Sequence, residues 1–302
     1  MVIKSTGSWY TILDGKDIVN CRIKGKFRMH GLKTTNPVTV GDKVEYDLLK
    51  DGSGIILKIE KRKNYIIRRA TSFHTEAHLL AANIDLALLM ITLKSPSTPR
   101  EFIDRFLATA EAYHIQSVLL INKVDLLTSS DQEELEDFIN TYKLAGYKCI
   151  SLSIKENFQV SQVSQIMQGK LNLIAGNSGV GKTALINAIA PSLNLKTETI
   201  SDYHQAGKHT TTFSEIFTLN KNTYVIDSPG IKGFGLIDMD KNEIGFYFPE
   251  IFRLSKNCKF YNCTHIHEPG CAIMKAVDDG KIGKSRYKSY LSIMNDDDSK
   301  YR

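Results

Sequence analysis

The sequence predicts a multidomain α/β protein, with an N-terminal β-barrel of the OB-fold type, a central parallel sheet flanked by helices, and a mainly helical C-terminal domain. Two observations lead there. Residues 1 to about 65 carry short apolar or alternating segments separated by Gly, Asp and Asn turns. From about residue 66, buried-type apolar runs alternate with segments of helical spacing, until a helical pattern takes over beyond about residue 240. The expected boundaries are therefore 1–65, 66–240 and 241–302.

In the first part the expected strands are Trp9–Leu13, Ile18–Ile23, Val38–Val40, Val44–Leu48 and Ile55–Ile59. Five short strands in so brief a stretch suit a small barrel, and an OB-fold is the natural choice. Basic residues cluster here. Lys16, Arg22, Lys24, Lys26, Arg28 and Lys33 face one acid, Asp17, and Lys58, Lys61, Arg62, Lys63, Arg68 and Arg69 face Glu60 alone. Such patches on a barrel that also carries Tyr and Phe point to phosphates and to nucleic acid. The whole-chain net charge of +6 is by itself ordinary solubility.

In the central part, Leu86–Leu93 and Ser117–Ile121 read as buried strands, and Lys148–Leu152 and Lys170–Ile174 continue the series. Arg100–Tyr113 and Gln132–Leu144 read as the intervening helices, which makes βαβ units. The apolar run at Leu86–Leu93 is far too short to span a bilayer. The N-terminus lacks an export pattern, so a cytoplasmic protein without membrane association, and a monomer, is expected. The Asn262-Cys263-Thr264 sequon is then a chance match.

The run Gly176-Asn177-Ser178-Gly179-Val180-Gly181-Lys182-Thr183 follows the apolar strand Leu171–Ala175 and precedes a helix over Ala184–Ile189. This is a Walker A phosphate loop in the context that motif requires. Its glycines let successive backbone N–H groups, on to Ala184, turn toward phosphate oxygens at a helix N-terminus. Lys182 is expected to neutralise β- and γ-phosphates, and the Thr183 hydroxyl to ligate Mg²⁺.

Asn122-Lys123-Val124-Asp125 ends another buried strand, where a loop can reach a base. A carboxylate at Asp125 accepts from guanine N1–H and the exocyclic amine, whereas adenine offers a repulsive edge. Asn122 is expected to bond the base and brace the phosphate loop, with the Lys123 stem over the ring. Asp227-Ser228-Pro229-Gly230 ends the strand Thr223–Ile226 and supplies a carboxylate for Mg²⁺ and an N–H toward a γ-phosphate. Between these lies Gly207-Lys208-His209-Thr210-Thr211-Thr212, a switch-like stretch from which Thr211 is expected to join Mg²⁺. GTP and GDP are the expected nucleotides.

The order of the motifs is unusual, because the base-reading loop precedes the phosphate loop. The sequence therefore implies a circularly permuted P-loop GTPase, in which the segment after Asp227 leads straight into the C-terminal domain. There, Cys258-X₄-Cys263-X-His265-X₅-Cys271 offers three thiolates and an imidazole for one closed, structural zinc, with His267 a competing ligand. An odd cysteine count without an export signal favours metal over disulfides.

Together these residues resemble the RsgA (YjeQ) family of circularly permuted GTPases over almost the whole chain. The likeness extends to Phe234-Gly-Leu236, to His265-Ile-His-Glu-Pro-Gly-Cys-Ala272 and to Arg286-Tyr-Lys-Ser-Tyr290. The resemblance implies an OB domain, a GTPase and a zinc domain in this order. It also implies a ribosome-stimulated GTPase of late small-subunit maturation, with the small ribosomal subunit and its rRNA as partners. Ile231 stands where Ras-like enzymes carry a water-orienting Gln. Intrinsic hydrolysis is accordingly expected to be slow, with His209 or a ribosomal group in the missing role. Ser153, in Ser151-Leu-Ser153, is the expected counterpart of the family's second guanine-binding loop, although the Ala of that element is absent. An ATP-using kinase, the first rival, has no use for Asp125, and a non-catalytic RNA-binding zinc protein would show no turnover dependent on Lys182.

Overall fold

The structure is a computed structural model that describes residues 1–24, 37–69, 77–195, 215–227 and 240–295, with the backbone alone at 67–69, 77–78 and 227. It divides into two compact units, Met1–Ala87 with Ser161–Ser178 and Lys182–Phe234, and Leu88–Val160 with Gly179–Gly181 and Gly235–Arg302.

In the first unit, β1 (Val2–Ser5), β2 (Tyr10–Asp14), β3 (Asp17–Ile23), β4 (Val44–Leu48) and β5 (Gly54–Ile59) pair in the order β1-β2-β3-β5-β4. The β3–β5 pairing is parallel and the others antiparallel, which is the connectivity of an OB barrel. Val2, Tyr10, Ile12, Cys21, Val38 and Ile56 fill its core. Gly54 is required where β5 passes β3, because a Cβ there would sit 2.4 Å from the Cys21 sulfur.

The count of five strands matches the expectation, but one member differs. Val38–Val40 is not a strand, and β1 takes the fifth place. The two valines are buried within a turn instead. The Asp42 carboxylate accepts from the Thr39 N–H at 2.9 Å, and Arg62 grips both its oxygens at 2.6 Å. Gly41, at φ +87°, passes so close to the Ala82 carbonyl that a Cβ would lie 2.0 Å from it. An antiparallel hairpin, β6 (Tyr65–Arg69) with β7 (Ala77–Ala82), follows the barrel.

The rest of this unit holds β11 (Leu171–Ala175) parallel to β13 (Thr223–Asp227), with β12 (Glu215–Asn220) antiparallel to β13. The outer edge of β12 pairs with β1, register Lys4 to Glu215, and those side chains form an ion pair at 3.1 Å. The barrel strands and β11–β13 therefore share one continuous ladder of backbone hydrogen bonds. The helices α3 (Val160–Met167) and α4 (Lys182–Ile189) flank β11 in sequence.

In the second unit, β8 (Leu86–Ile91), β9 (Ser117–Ile121) and β10 (Lys148–Ser151) lie in the order β10-β9-β8. β9 and β10 run parallel, and the side chains of β8 and β9 are buried throughout, which explains their uninterrupted apolar sequence. Helices α1 (Arg100–Ala112) and α2 (Gln132–Ala145) complete the βαβ rhythm, and Gly146 at φ +101° ends α2.

The C-terminal segment folds onto the same unit through α5 (Pro249–Ser255), α6 (Ala272–Asp278) and α7 (Lys284–Asn295). Phe248, Ile251, Ile273, Tyr290 and Ile293 pack with Ala108 of α1. A buried clamp locks this packing. Arg286 of α7 donates to Glu250 of α5 at 2.8 Å and to Asp104 of α1 at 2.9 Å, with all three side chains at most 1% exposed. No described helix is long and apolar enough to cross a membrane.

Candidate functional site

Three of the predicted motif segments begin at the carboxyl ends of parallel strands, the end at which sheets of this kind carry their loops for ligands. β11 runs into Gly176 and β13 ends at Asp227, side by side in one unit. In the other unit β9 runs into Asn122 and β10 toward Ser153, also side by side.

The phosphate loop has the backbone its glycines allow, with Gly176, Gly179 and Gly181 all at positive φ. The Lys182 ammonium donates to the Gly176 and Asn177 carbonyls, each at 2.8 Å, so its charge lies over the loop. Thr183 is buried as the second residue of α4, and Ser178, Val180 and Ala184 continue the loop and the helix.

Asn122 does what its sequence position suggests for the loop. Its side-chain amide donates to the Val180 carbonyl at 2.8 Å, across 58 residues of chain. The contact is close enough that a Cβ on Gly181 would stand 2.5 Å from the Asn122 amide nitrogen. Lys123 adopts φ +64°, which turns the chain into the short 3-10 turn Val124–Leu126 that carries Asp125. The Lys123 ammonium donates to the Ser95 carbonyl.

Ser153 is held against the Asp125 carboxylate. Fully buried, it donates its hydroxyl to the Asp125 carboxylate at 2.6 Å and accepts the Glu156 N–H at 3.2 Å. A charge-assisted bond of this kind fixes the free oxygen of Asp125 in one direction. Asn122 with Val180 and Ser153 with Asp125 thus form two hydrogen-bonded pairs, linked where the Ile154 N–H donates to the Asn122 side-chain oxygen at 3.4 Å. His209, Thr211, Gly230 and Ile231 lie outside the described residues, as does the side chain of Asp227.

The predicted metal ligands come together. Single donor atoms of Cys258, Cys263, His265 and Cys271 all lie within 4.8 Å of one another. The His265 Nδ1 is 3.6 Å from the Cys258 sulfur and 3.5 Å from the Cys271 sulfur. Zinc bonded to sulfur at about 2.3 Å and to nitrogen at about 2.0–2.1 Å sets sulfur and nitrogen about 3.6 Å apart in a tetrahedron, so the donors fit that ion. Burial pushes the Cys263 thiol up to about 12. His267, the competing ligand, is outside the cluster.

Sequence reasoning missed the supports of this centre. Glu268 accepts from the N–H groups of Thr264, Ile266 and His267 and from the Thr264 hydroxyl. Burial opposes its charge, but these bonds outweigh burial and hold its carboxyl at about 2. Tyr287 donates to the His265 carbonyl at 2.6 Å and Tyr290 to that of Thr264 at 2.8 Å. The His-Glu-Pro-Gly-Cys run and the two tyrosines were visible as part of the resemblance, but the tyrosines reach their partners across more than 20 residues.

Comparison with known proteins agrees with this geometry. The family model described as RsgA GTPase matches residues 59–237, and that described as RsgA N-terminal domain matches residues 1–56. A protein of Christiangramia forsetii named small ribosomal subunit biogenesis GTPase RsgA is 52% identical, covering 100% of this chain and 97% of its own. A Bacteroides thetaiotaomicron protein, small ribosomal subunit biogenesis GTPase RsgA 2, is 50% identical at 100% and 98% coverage. Among solved structures, YjeQ from Thermotoga maritima superposes with a TM-score of 0.78 at 32% identity, covering 97% of this chain and 96% of its own. YloQ, described as a circularly permuted GTPase, does so at 0.74 and 29%, covering 97% and 92%. On its motifs, its fold and these likenesses alike, the chain belongs to the RsgA GTPase family.

Proposed function

We propose that this protein hydrolyses GTP and acts as a late assembly or maturation factor of the small ribosomal subunit, whose binding stimulates turnover. The observation that carries the nucleotide reading is the Asn122–Val180 hydrogen bond, which joins a guanine-type loop to a phosphate loop in permuted order. In this reading Asp125, oriented by Ser153, accepts from guanine N1–H and N2–H₂, and Lys123 covers the ring. The N–H groups from Gly176 to Ala184 hold the phosphates. Lys182 leaves its two backbone carbonyls to neutralise the β- and γ-phosphates.

Mg²⁺, an ion that takes oxygen ligands, would be held by Thr183, Asp227 and Thr211, and when bound it neutralises charge on the phosphates. Gly230 directs an N–H toward the γ-phosphate. Ile231 cannot orient water, so basal turnover is slow, and His209 or a group from the subunit positions the nucleophile. Zinc at Cys258, Cys263, His265 and Cys271 has no open position and acts structurally.

The proposed domains are 1–65, 66–240 and 241–302. The OB barrel and the zinc domain dock on rRNA while GTP is bound, and hydrolysis releases the factor, a monomer of the cytoplasm. Support comes from the names of the relatives and from the basic clusters beside the barrel. Steady-state GTP turnover titrated with purified small subunits tests the reading, with large subunits and ATP as controls. A slow rate that rises with small subunits alone, and is abolished by Lys182→Ala, is expected. Equal turnover of ATP refutes the guanine assignment, and absence of stimulation refutes the ribosomal one. If His209→Ala leaves stimulated turnover unchanged, that residue has no part in it.

A further inference from the structure

The first loop of the metal centre exposes an unusual tip. Between the ligands Cys258 and Cys263 stand Lys259, Phe260, Tyr261 and Asn262. Tyr261 is fully exposed, and Phe260 is 41% exposed. Folding gains almost nothing from the Tyr261 ring and leaves part of Phe260 in solvent, whereas Tyr287 and Tyr290 are tied to the carbonyls of His265 and Thr264. The backbone that presents them is held at both ends. The Asn257 and Cys258 N–H groups bond back to Leu254 and Ser255 at 3.0 and 2.9 Å, and both flanking cysteines belong to the donor cluster. Two rings carried on a fixed loop lose little conformational freedom when they bind a partner.

The stretch of chain that carries the tip is charged with one sign. From Ile251 to His267 the chain carries Arg253, Lys256 and Lys259 and no acid. The next carboxylate, Glu268, is occupied by four hydrogen bonds to its own loop. The Lys259 ammonium lies 5.5 Å from the Phe260 ring centroid, so a cation already sits beside the aromatic surface. Exposed rings beside the exposed Lys256 and Lys259 suit a partner that has both flat faces and negative charge.

We infer that Phe260 and Tyr261 form a stacking platform for unpaired bases of RNA, with Lys256 and Lys259 on the adjoining phosphates. This rests on the reading above that the protein works on ribosomal RNA, and it names the chemistry by which its zinc domain docks.

The test uses the full-length, zinc-loaded protein and labelled RNAs of about 12 nucleotides, a length within the span of such platforms. Anisotropy titrations compare an unstructured single strand with a duplex. The double variant Phe260→Ala/Tyr261→Ala, with zinc content equal to wild type, is expected to bind the single strand about ten-fold or more weakly. Duplex binding is expected to stay unchanged, and the aromatic-for-aromatic variant Phe260→Tyr/Tyr261→Phe to retain affinity. Unchanged single-strand affinity in the alanine variant overturns the inference. So does a variant that loses small-subunit docking while keeping RNA affinity, which assigns the tip to a ribosomal protein. If wild-type turnover ignores small subunits while Tyr261-dependent RNA binding persists, the ribosomal reading falls and the platform stands.

Discussion

Replacing Ser153 with alanine isolates the contact that orients Asp125, the carboxylate proposed to read the base. The serine hydroxyl donates to Asp125 at 2.6 Å from a fully buried position, and it also accepts the Glu156 N–H at 3.2 Å. A hydrogen bond to a charged group contributes about 1.5–3 kcal/mol. Asp125 is half-buried, so water recovers part of that loss, and the lower end applies. About 1.4 kcal/mol corresponds to a ten-fold weaker GDP affinity. The assay is equilibrium titration with a fluorescent GDP analogue, in wild type, Ser153→Ala, Asp125→Asn and the double variant, with thermal melting to confirm folding. If the serine acts through Asp125, its removal costs about ten-fold in the wild-type background and little once Asp125 is gone. Equal losses in both backgrounds refute the reasoning, because Ser153 then acts independently of the carboxylate.

Arg286→Met leaves Asp104 and Glu250 as buried carboxylates without their cation, and the chain is expected to lose about 3–5 kcal/mol of stability in urea titrations. A loss below about 1 kcal/mol would show that the clamp is dispensable. Gly181→Ala combines φ +107° with a Cβ 2.5 Å from the Asn122 amide, so it must displace the Asn122–Val180 bond. Both GTP and GDP should bind at least about ten-fold more weakly, since backbone strain of this kind costs about 1–3 kcal/mol. Wild-type affinity in this variant would contradict the close packing of the two loops. Chelation of the metal, or Cys263→Ser, should expose the chain beyond about residue 240 to protease, because binding at such centres contributes about 10–16 kcal/mol to folding. An unchanged digestion pattern after complete removal of zinc would argue that the helices hold without it.

Much of this protein is legible in its sequence because the informative residues are local. A phosphate loop, an Asn-Lys-X-Asp loop and a cysteine cluster each occupy a few consecutive positions, and the chemistry they need is set by backbone turns of that length. The buried strands β8 and β9 announce themselves as unbroken apolar runs for the same reason. Motif order, which reveals the permutation, is also a property of the chain alone. Apolar character misleads where burial does not require a strand. Val38 and Val40 are buried by a turn held to Arg62 through Asp42, and a one-dimensional pattern cannot tell the two apart.

What the tertiary structure alone decides are contacts between residues far apart in the chain. Asn122 reaches Val180, Ser153 reaches Asp125, and Arg286 of α7 reaches Asp104 of α1. That His265 joins the donor cluster while His267 stays outside it belongs here too, because two residues so close in sequence differ only in the direction their backbone gives each side chain. Periodicity records which way a residue faces within its own element, and no local interaction encodes the distant atom it will meet. That partner is selected only when whole elements pack, where burying an unpaired polar group costs more than ordering it against another.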